Sequence, residues 1–214
     1  TICLFLGCNY CICTLFMKLL KITTAVLLVV FIISQIYITM SIFKTEQQKY
    51  TLLKSLGDIE IRFYPSATLA TIQMNARSYK ELSSSGFRKL AGYIFGGNAA
   101  NKNISMTAPV HMDIKETGSS MSFVMPEAYN TENLPKPTDS KIVLTESGDE
   151  YVAAIRFGGY SSDEKIKENT EKLKTILMNK GIVHHGNFRY LGYNPPYQLF
   201  GRKNEIIVTV EWNK

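Results

Sequence analysis

Two segments of this chain, 83 residues apart, follow one plan, and that repeat limits the fold more than any other feature. Ala67-Thr-Leu-Ala-Thr-Ile-Gln-Met74 and Glu150-Tyr-Val-Ala-Ala-Ile-Arg-Phe157 both alternate as strands do. Each runs through a short turn into a helix with a capping box at its start. In the first box the Ser78 hydroxyl accepts from the Glu81 amide and Glu81 reaches back. The second reads Ser161-Ser162-Asp163-Glu164. Tyr79, Leu82, Gly86, Leu90, Tyr93 and Ile94 supply the first apolar stripe, and Gly96-Gly97 the left-handed stop. Ile166, Thr170, Leu173, Ile176 and Leu177 supply the second, which Gly181 ends. A Pro-marked segment follows each helix, Met106-Thr-Ala-Pro-Val110 and Tyr193-Asn-Pro-Pro-Tyr197, and then a further strand, near residues 121–125 and 205–212.

A period of 83 is too long for a solenoid, so the chain is read as two copies of a βαββ unit. Residues 50–64, turning at Gly57-Asp58, add strand at the front. Short connections predict a largely antiparallel sheet with both helices outside it, an α+β barrel. Hydrophobic residues make up 45% and charged residues 20%, which excludes a wholly disordered chain. Residues 46–214 carry 21 basic side chains against 18 acidic ones, scattered along the sequence. That is no footprint for nucleic acid, and no nucleic-acid partner is expected.

The first fifth of the chain is of another kind. Residues 22–43 hold no charged side chain and lie between Lys21 and Lys44. As a helix they span about 33 Å, enough for a hydrocarbon core of about 30 Å. An uncleaved anchor is preferred to a cleaved signal peptide, because the apolar run is long and no small-x-small site follows it. Lys18 and Lys21 before the span, against Lys44 and Lys49 around Glu46, favour a cytoplasmic amino terminus and an extracytoplasmic (periplasmic or lumenal) domain. Cleavage would make the domain secreted. Met17-Lys-Leu-Leu-Lys21 is a natural start, so residues 1–16 are expected to be an upstream or non-native extension, residues 17–45 the anchor, and residues 46–214 the domain. All four cysteines, Cys3, Cys8, Cys11 and Cys13, lie in the first sixteen residues. Their spacing lacks a second ligand pair for a metal, and the domain has no thiolate for catalysis or for haem iron.

Several motifs of residues 46–214 resemble the SOUL/haem-binding protein family. They are Gly86-Phe-Arg-Lys-Leu-Ala-Gly-Tyr-Ile-Phe-Gly-Gly97, Lys102-Asn-Ile-Ser-Met-Thr-Ala-Pro-Val110, Phe157-Gly-Gly-Tyr-Ser161, and Gly192-Tyr-Asn-Pro-Pro-Tyr197 with Arg202-Lys-Asn-Glu-Ile206. Asp58-Ile-Glu-Ile-Arg62, with Tyr64, matches the family's first strand. The resemblance covers about residues 48–212. It implies a distorted antiparallel eight-stranded barrel from two pseudo-repeats with two flanking helices, here preceded by a transmembrane helix. It also implies a tetrapyrrole carrier or sensor rather than an enzyme. The same barrel resembles the ligand-sensing domain of multidrug-responsive regulators, which bind flat apolar cations.

The resemblance assigns candidate residues. Phe63 stands where a histidine-ligating member has its axial His, and it cannot bind iron. Tyr93 and Gln198 stand where another branch places basic residues for the porphyrin propionates, with Arg88, Lys89 and Arg202 nearby. Tyr197 and Phe200, beside Tyr190 and Tyr193, are candidates for a flat-ligand groove. His111 is the one possible axial ligand, while Met106 reads as core and His184-His185 as solvated loop. No G-x-S-x-G, H-E-x-x-H, phosphate loop or carboxylate pair is present in the sequence. The reading is a membrane-anchored, non-enzymatic binder of haem, another porphyrin or a flat hydrophobic molecule. A hydrolase or tetrapyrrole-processing enzyme using the same groove, and an interaction module without a small ligand, remain the alternatives.

Overall fold

The computed structural model describes the backbone of residues 2–43 and 45–212, and the side chains of residues 15–40 and 45–212. It divides into two compact units, Thr1–Lys44 and Thr45–Lys214. The first is one helix, α1 (Ile2–Phe43). It runs through residues 16 and 17 without a break. Within it Leu15–Met40 is long and apolar enough to cross a membrane, and none of that window is buried. A membrane anchor and a signal sequence both have this character. The Cys8, Cys11 and Cys13 spacing lies outside the described side chains.

The second unit opens with β1 (Glu46–Gln47), β2 (Thr51–Ser55), β3 (Ile59–Tyr64) and β4 (Thr68–Met74). Helix α2 (Tyr79–Ile94) follows, then β5 (Thr107–Ala108), β6 (Val110–Asp113), β7 (Ser119–Val124) and β8 (Ile142–Glu146). The chain ends with β9 (Glu150–Gly158), α3 (Asp163–Asn179), β10 (His184–Gly192) and β11 (Lys203–Val210).

Helix α2 starts as its sequence dictates, with Ser78 Oγ accepting from the Glu81 amide at 3.2 Å. Glu81 itself reaches one residue further back than expected, to the Arg77 amide at 3.0 Å. Gly96 takes φ +105° just past the end. The buried stripe is Leu82, Gly86, Leu90, Tyr93 and Ile94. Helix α3 is capped by Ser162, not Ser161. The Ser161 hydroxyl is occupied elsewhere, 2.8 Å from the Tyr190 hydroxyl. The two helix starts meet, the Tyr79 amide donating to the Asp163 carboxylate at 2.5 Å.

Nine antiparallel strands form the main sheet, in the order β2-β3-β9-β11-β10-β6-β7-β4-β8, while β1 pairs in parallel with β5. The repeat is visible in that order. One half runs β4-β7-β6, the other β9-β11-β10, and the halves join through β6 and β10. The strands that precede each half are exchanged. β3 enters β4 through residues 65–67 yet pairs with β9, and β8 enters β9 through residues 147–149 yet pairs with β4. The two connections clasp each other. The Ser147 amide donates to the Ala67 carbonyl at 2.9 Å, the Ala67 amide to Ser147 Oγ at 2.9 Å, and the Ser66 amide to Asp149 at 2.7 Å.

The sheet therefore differs from the distorted eight-stranded barrel expected. Among the described residues it has nine strands, and no pairing joins its edge strands β2 and β8. Helices α2 and α3 cover one face, over Ile59, Ile61, Ile72, Met121, Phe123, Ile155 and Ile206. Tyr64, Val152, Ala154, Leu191 and Ile207 form a smaller buried cluster on the other face.

Candidate functional site

The face away from the helices holds a buried ion pair. Arg62 and Glu205 reach across β9 and meet in a fork, Nη1 to Oε2 at 2.8 Å and Nη2 to Oε1 at 2.9 Å. Both side chains are almost wholly buried. Arg62 also grips Glu60, with Nε 2.7 Å from Oε2, and its Nη1 lies 3.3 Å from the Tyr64 hydroxyl. The Tyr193 hydroxyl donates to Glu205 at 2.6 Å, and Lys203 Nζ lies 3.1 Å from it. The Tyr50 ring covers the guanidinium at 4.2 Å. Burial alone would raise the Glu205 carboxyl, but the Arg62 guanidinium outweighs it and holds the group below the usual carboxylate value. Burial and the Glu205 charge push the Tyr193 hydroxyl strongly upward. Burial pushes Tyr64 up to about 12. The charges are mutually satisfied, as a structural network must be.

Residues 46–50 are strapped onto the same unit. The Gln48 amide donates to the Ala108 carbonyl at 2.8 Å, and Gln48 Oε1 lies 2.7 Å from His111 Nε2. Lys49 pairs with Glu127 at 2.5 Å, and the Glu127 amide donates to Glu46 at 2.7 Å. Between this strap, β4 and β7 lies a cavity of about 170 Å³, lined by Gln48, Pro65, Thr68, Thr107, Met125 and Tyr129 among others. Pockets for drug-sized ligands hold about 300–1,000 Å³, so a tetrapyrrole does not fit inside it.

The other feature is the connection between β10 and β11, residues 193–202. Its interior is polar. Arg202 Nη1 donates to the Pro195 carbonyl at 2.7 Å and to the Gln198 carbonyl at 2.9 Å. Gln198 Nε2 donates to the Phe200 carbonyl, and Asn194 Nδ2 to Gln198 Oε1, both at 2.7 Å. Its exterior is apolar. Tyr197 is 62% exposed, Leu199 41% and Phe200 70%, beside Tyr160 at 48%. The Tyr160 ring lies 4.4 Å from the Arg202 guanidinium, and its hydroxyl donates to the Pro196 carbonyl at 3.3 Å.

The candidate residues fall into separate places. Tyr197, Gln198, Phe200 and Arg202 share this loop. Gln198 and Arg202 are buried inside it, so Arg202 does not face outward as a residue for a propionate would. Arg88, Lys89 and Tyr93 lie along α2. Arg88 is exposed and Lys89 half-buried. Tyr93 is buried in the helix-covered core and donates to the Pro135 carbonyl at 3.0 Å. It stands about 21 Å along the helix from Tyr79, whose ring meets Tyr190 at 5.3 Å. Phe63 alternates with Arg62 on β3 and packs on Tyr151, ring centres 5.2 Å apart.

His111 is buried on β6 opposite Leu191 and Ser122. Burial, with the Arg189 charge, lowers its imidazole to about 3, so it is neutral. His184 and His185 open β10, about 26 Å from Gly192 along the strand. His184 packs on Phe188, and His185 lies 2.7 Å from Glu211. Among the described residues no three His, Cys, Asp or Glu side chains are grouped to hold a metal.

A family model, the SOUL heme-binding protein, matches residues 45–209. The chain belongs to this family. Heme-binding protein 2 of Mus musculus is 31% identical over 159 residues, covering 70% of this chain and 77% of that protein. Heme-binding protein 1 of Xenopus laevis is 25% identical over 154 residues, covering 69% and 80%. In fold, the C-terminal domain of EcmrR matches 74% of this chain and 100% of its own, with a TM-score of 0.52 at 11% identity. Tyr160, Tyr197, Leu199 and Phe200 are the exposed apolar side chains at the 193–202 loop. The described residues offer no free imidazole beside the exposed loop.

The Arg62–Glu205 fork was not anticipated as a pair. Both residues stand in stretches that carry the family resemblance, Asp58–Tyr64 and Arg202–Ile206, but 143 residues separate them. The signal available was a charged residue in the middle of each of two strands otherwise rich in Ile.

Proposed function

We propose that this chain is a membrane-anchored, non-enzymatic carrier or sensor of haem or another flat tetrapyrrole. The anchor is residues 17–45, and the domain, residues 46–214, lies outside the cytoplasm. Family membership supports the ligand class. The observation that carries the site is the 193–202 loop, whose buried polar interior fixes Tyr197, Leu199 and Phe200 in water. A porphyrin laid against them and Tyr160 buries roughly 200 Å² of apolar surface, worth about 5 kcal/mol before association costs. In this reading Gln198 and Arg202 hold the loop, while Arg88, exposed on α2, with half-buried Lys89 beside it, is left for any propionate that reaches it. Phe63 and Tyr93 pack rather than bind. The iron receives no strong ligand from His111, whose Nε2 is engaged by Gln48.

Spectral titration of the full chain in detergent tests this. Haemin and metal-free protoporphyrin should bind within about threefold of each other. Tyr197→Ser with Phe200→Ser should weaken both by tenfold or more. A low-spin bis-nitrogen spectrum lost on His111→Ala would overturn the reading.

A further inference from the structure

We infer that the tip of the 193–202 loop inserts into the interface of the bilayer that holds α1; this rests on the anchor reading above. The loop is built to show apolar groups outward. Side-chain hydrogen bonds of Asn194, Gln198 and Arg202 within residues 194–203 are spent inside it. Tyr197, Leu199 and Phe200 are left outside. A self-bonded loop that displays two aromatics and a leucine presents a surface suited to cover.

Strand register shows which end of the sheet the loop occupies. Gly192, just before the loop, pairs with Val110, and Ala108, two residues earlier, pairs with Gln47. Tyr193 and Tyr50 also meet the same ion pair, Tyr193 through Glu205 and Tyr50 through Arg62. The loop therefore starts beside residues 46–48, where the chain reaches the domain, although Thr51, through Phe63 and Tyr151, stands in line with His184 at the other end of β10. Glu46 is six residues beyond Met40, the last residue of the apolar window, a reach of at most about 21 Å. Residues 192–203 include no Asp or Glu, and their two cations are taken up within the domain, Arg202 by carbonyls of the loop and Lys203 by Glu205, so no carboxylate of the loop opposes a lipid surface. Tyrosine and phenylalanine favour the headgroup boundary. A flat amphipathic ligand would then reach the loop from the bilayer rather than from water.

The test uses the full chain in vesicles of phosphatidylcholine and phosphatidylglycerol at about 4:1, with Trp212→Phe to silence the native indole. Phe200→Trp places a reporter on the loop, and Met178→Trp, at an equally exposed site near the end of α3, is the control. Lipids brominated high on the acyl chain should quench the position-200 indole at least about twofold and leave the control bright. Aqueous iodide should quench the control about threefold more strongly than position 200. If both indoles respond alike, insertion is overturned while the anchor stands. An indole at position 200 shielded from iodide yet untouched by bromine means the same chain or a second copy covers the loop, which also overturns insertion. If the chain does not float with the vesicles, the anchor reading fails and insertion fails with it. Haemin affinity in detergent is independent of all these outcomes and judges the ligand reading alone.

Discussion

Arg62 and Glu205 are the residues on which the polar face of the sheet depends. Removing one partner strands a buried charge, so Glu205→Ala should cost about 3–5 kcal/mol in chemical denaturation. The double change Arg62→Met with Glu205→Leu should recover most of that loss, because no charge is then left unpaired. Glu205 also sets an acid limit. Its folded value lies below the unfolded one, near 4.5, so the pair's contribution is complete above that pH. It is lost as pH falls through the folded value. The Glu205→Ala variant should show a flatter acid limb, read as midpoint against pH. Neither partner was legible as a partner, because period-2 alternation assigns faces within a strand and not contacts across a third strand. The burial of Arg202 was illegible for a related reason. Its neighbours Gly201 and Lys203 suggest a turn in water, yet its Nη1 and Nη2 donate to carbonyls of its own loop.

Helix limits were the most legible elements, since caps and stops are local chemistry. Ser78 and Gly96 act where the sequence puts them. The second cap is displaced by one residue because the Tyr190 hydroxyl, 29 positions away, takes Ser161. At the end of α2, Gly97 is required by space. A Cβ there would stand 2.6 Å from the Gly92 carbonyl oxygen, the acceptor of the Gly97 amide. Gly97→Ala should therefore destabilise the domain by about 1–3 kcal/mol. Gly92→Ala, with nothing within 4 Å, should raise stability by about 0.5–1 kcal/mol. Paired thermal melts of the two variants check the contrast. The exchange of β3 and β8 between the halves was beyond the sequence, because a repeat reveals copies and not which copy pairs with which.

At the scale of the whole molecule, every strand lies after Glu46, and contacts divide at residue 44. A fragment of residues 46–214 should thus be soluble and keep its fold, with mixed helix and strand circular dichroism and a cooperative melt. An unfolded or insoluble fragment would mean that α1 belongs to the core. The repeat and the helices outside an antiparallel sheet were legible from spacing, whereas the open sheet was not, since closure depends on whether the edge strands β2 and β8 meet, a pairing that alternation within each strand does not specify. The exchanged strands also impose a wait on folding during synthesis. Ile59 lies opposite Ile155, 96 residues later in the chain. At roughly 5–20 residues per second the ribosome takes about 5–20 s to supply that partner. For that interval Ile59, Ile61 and Phe63 have β2 beside them but not β9, and a chaperone at the exit site has a defined client window.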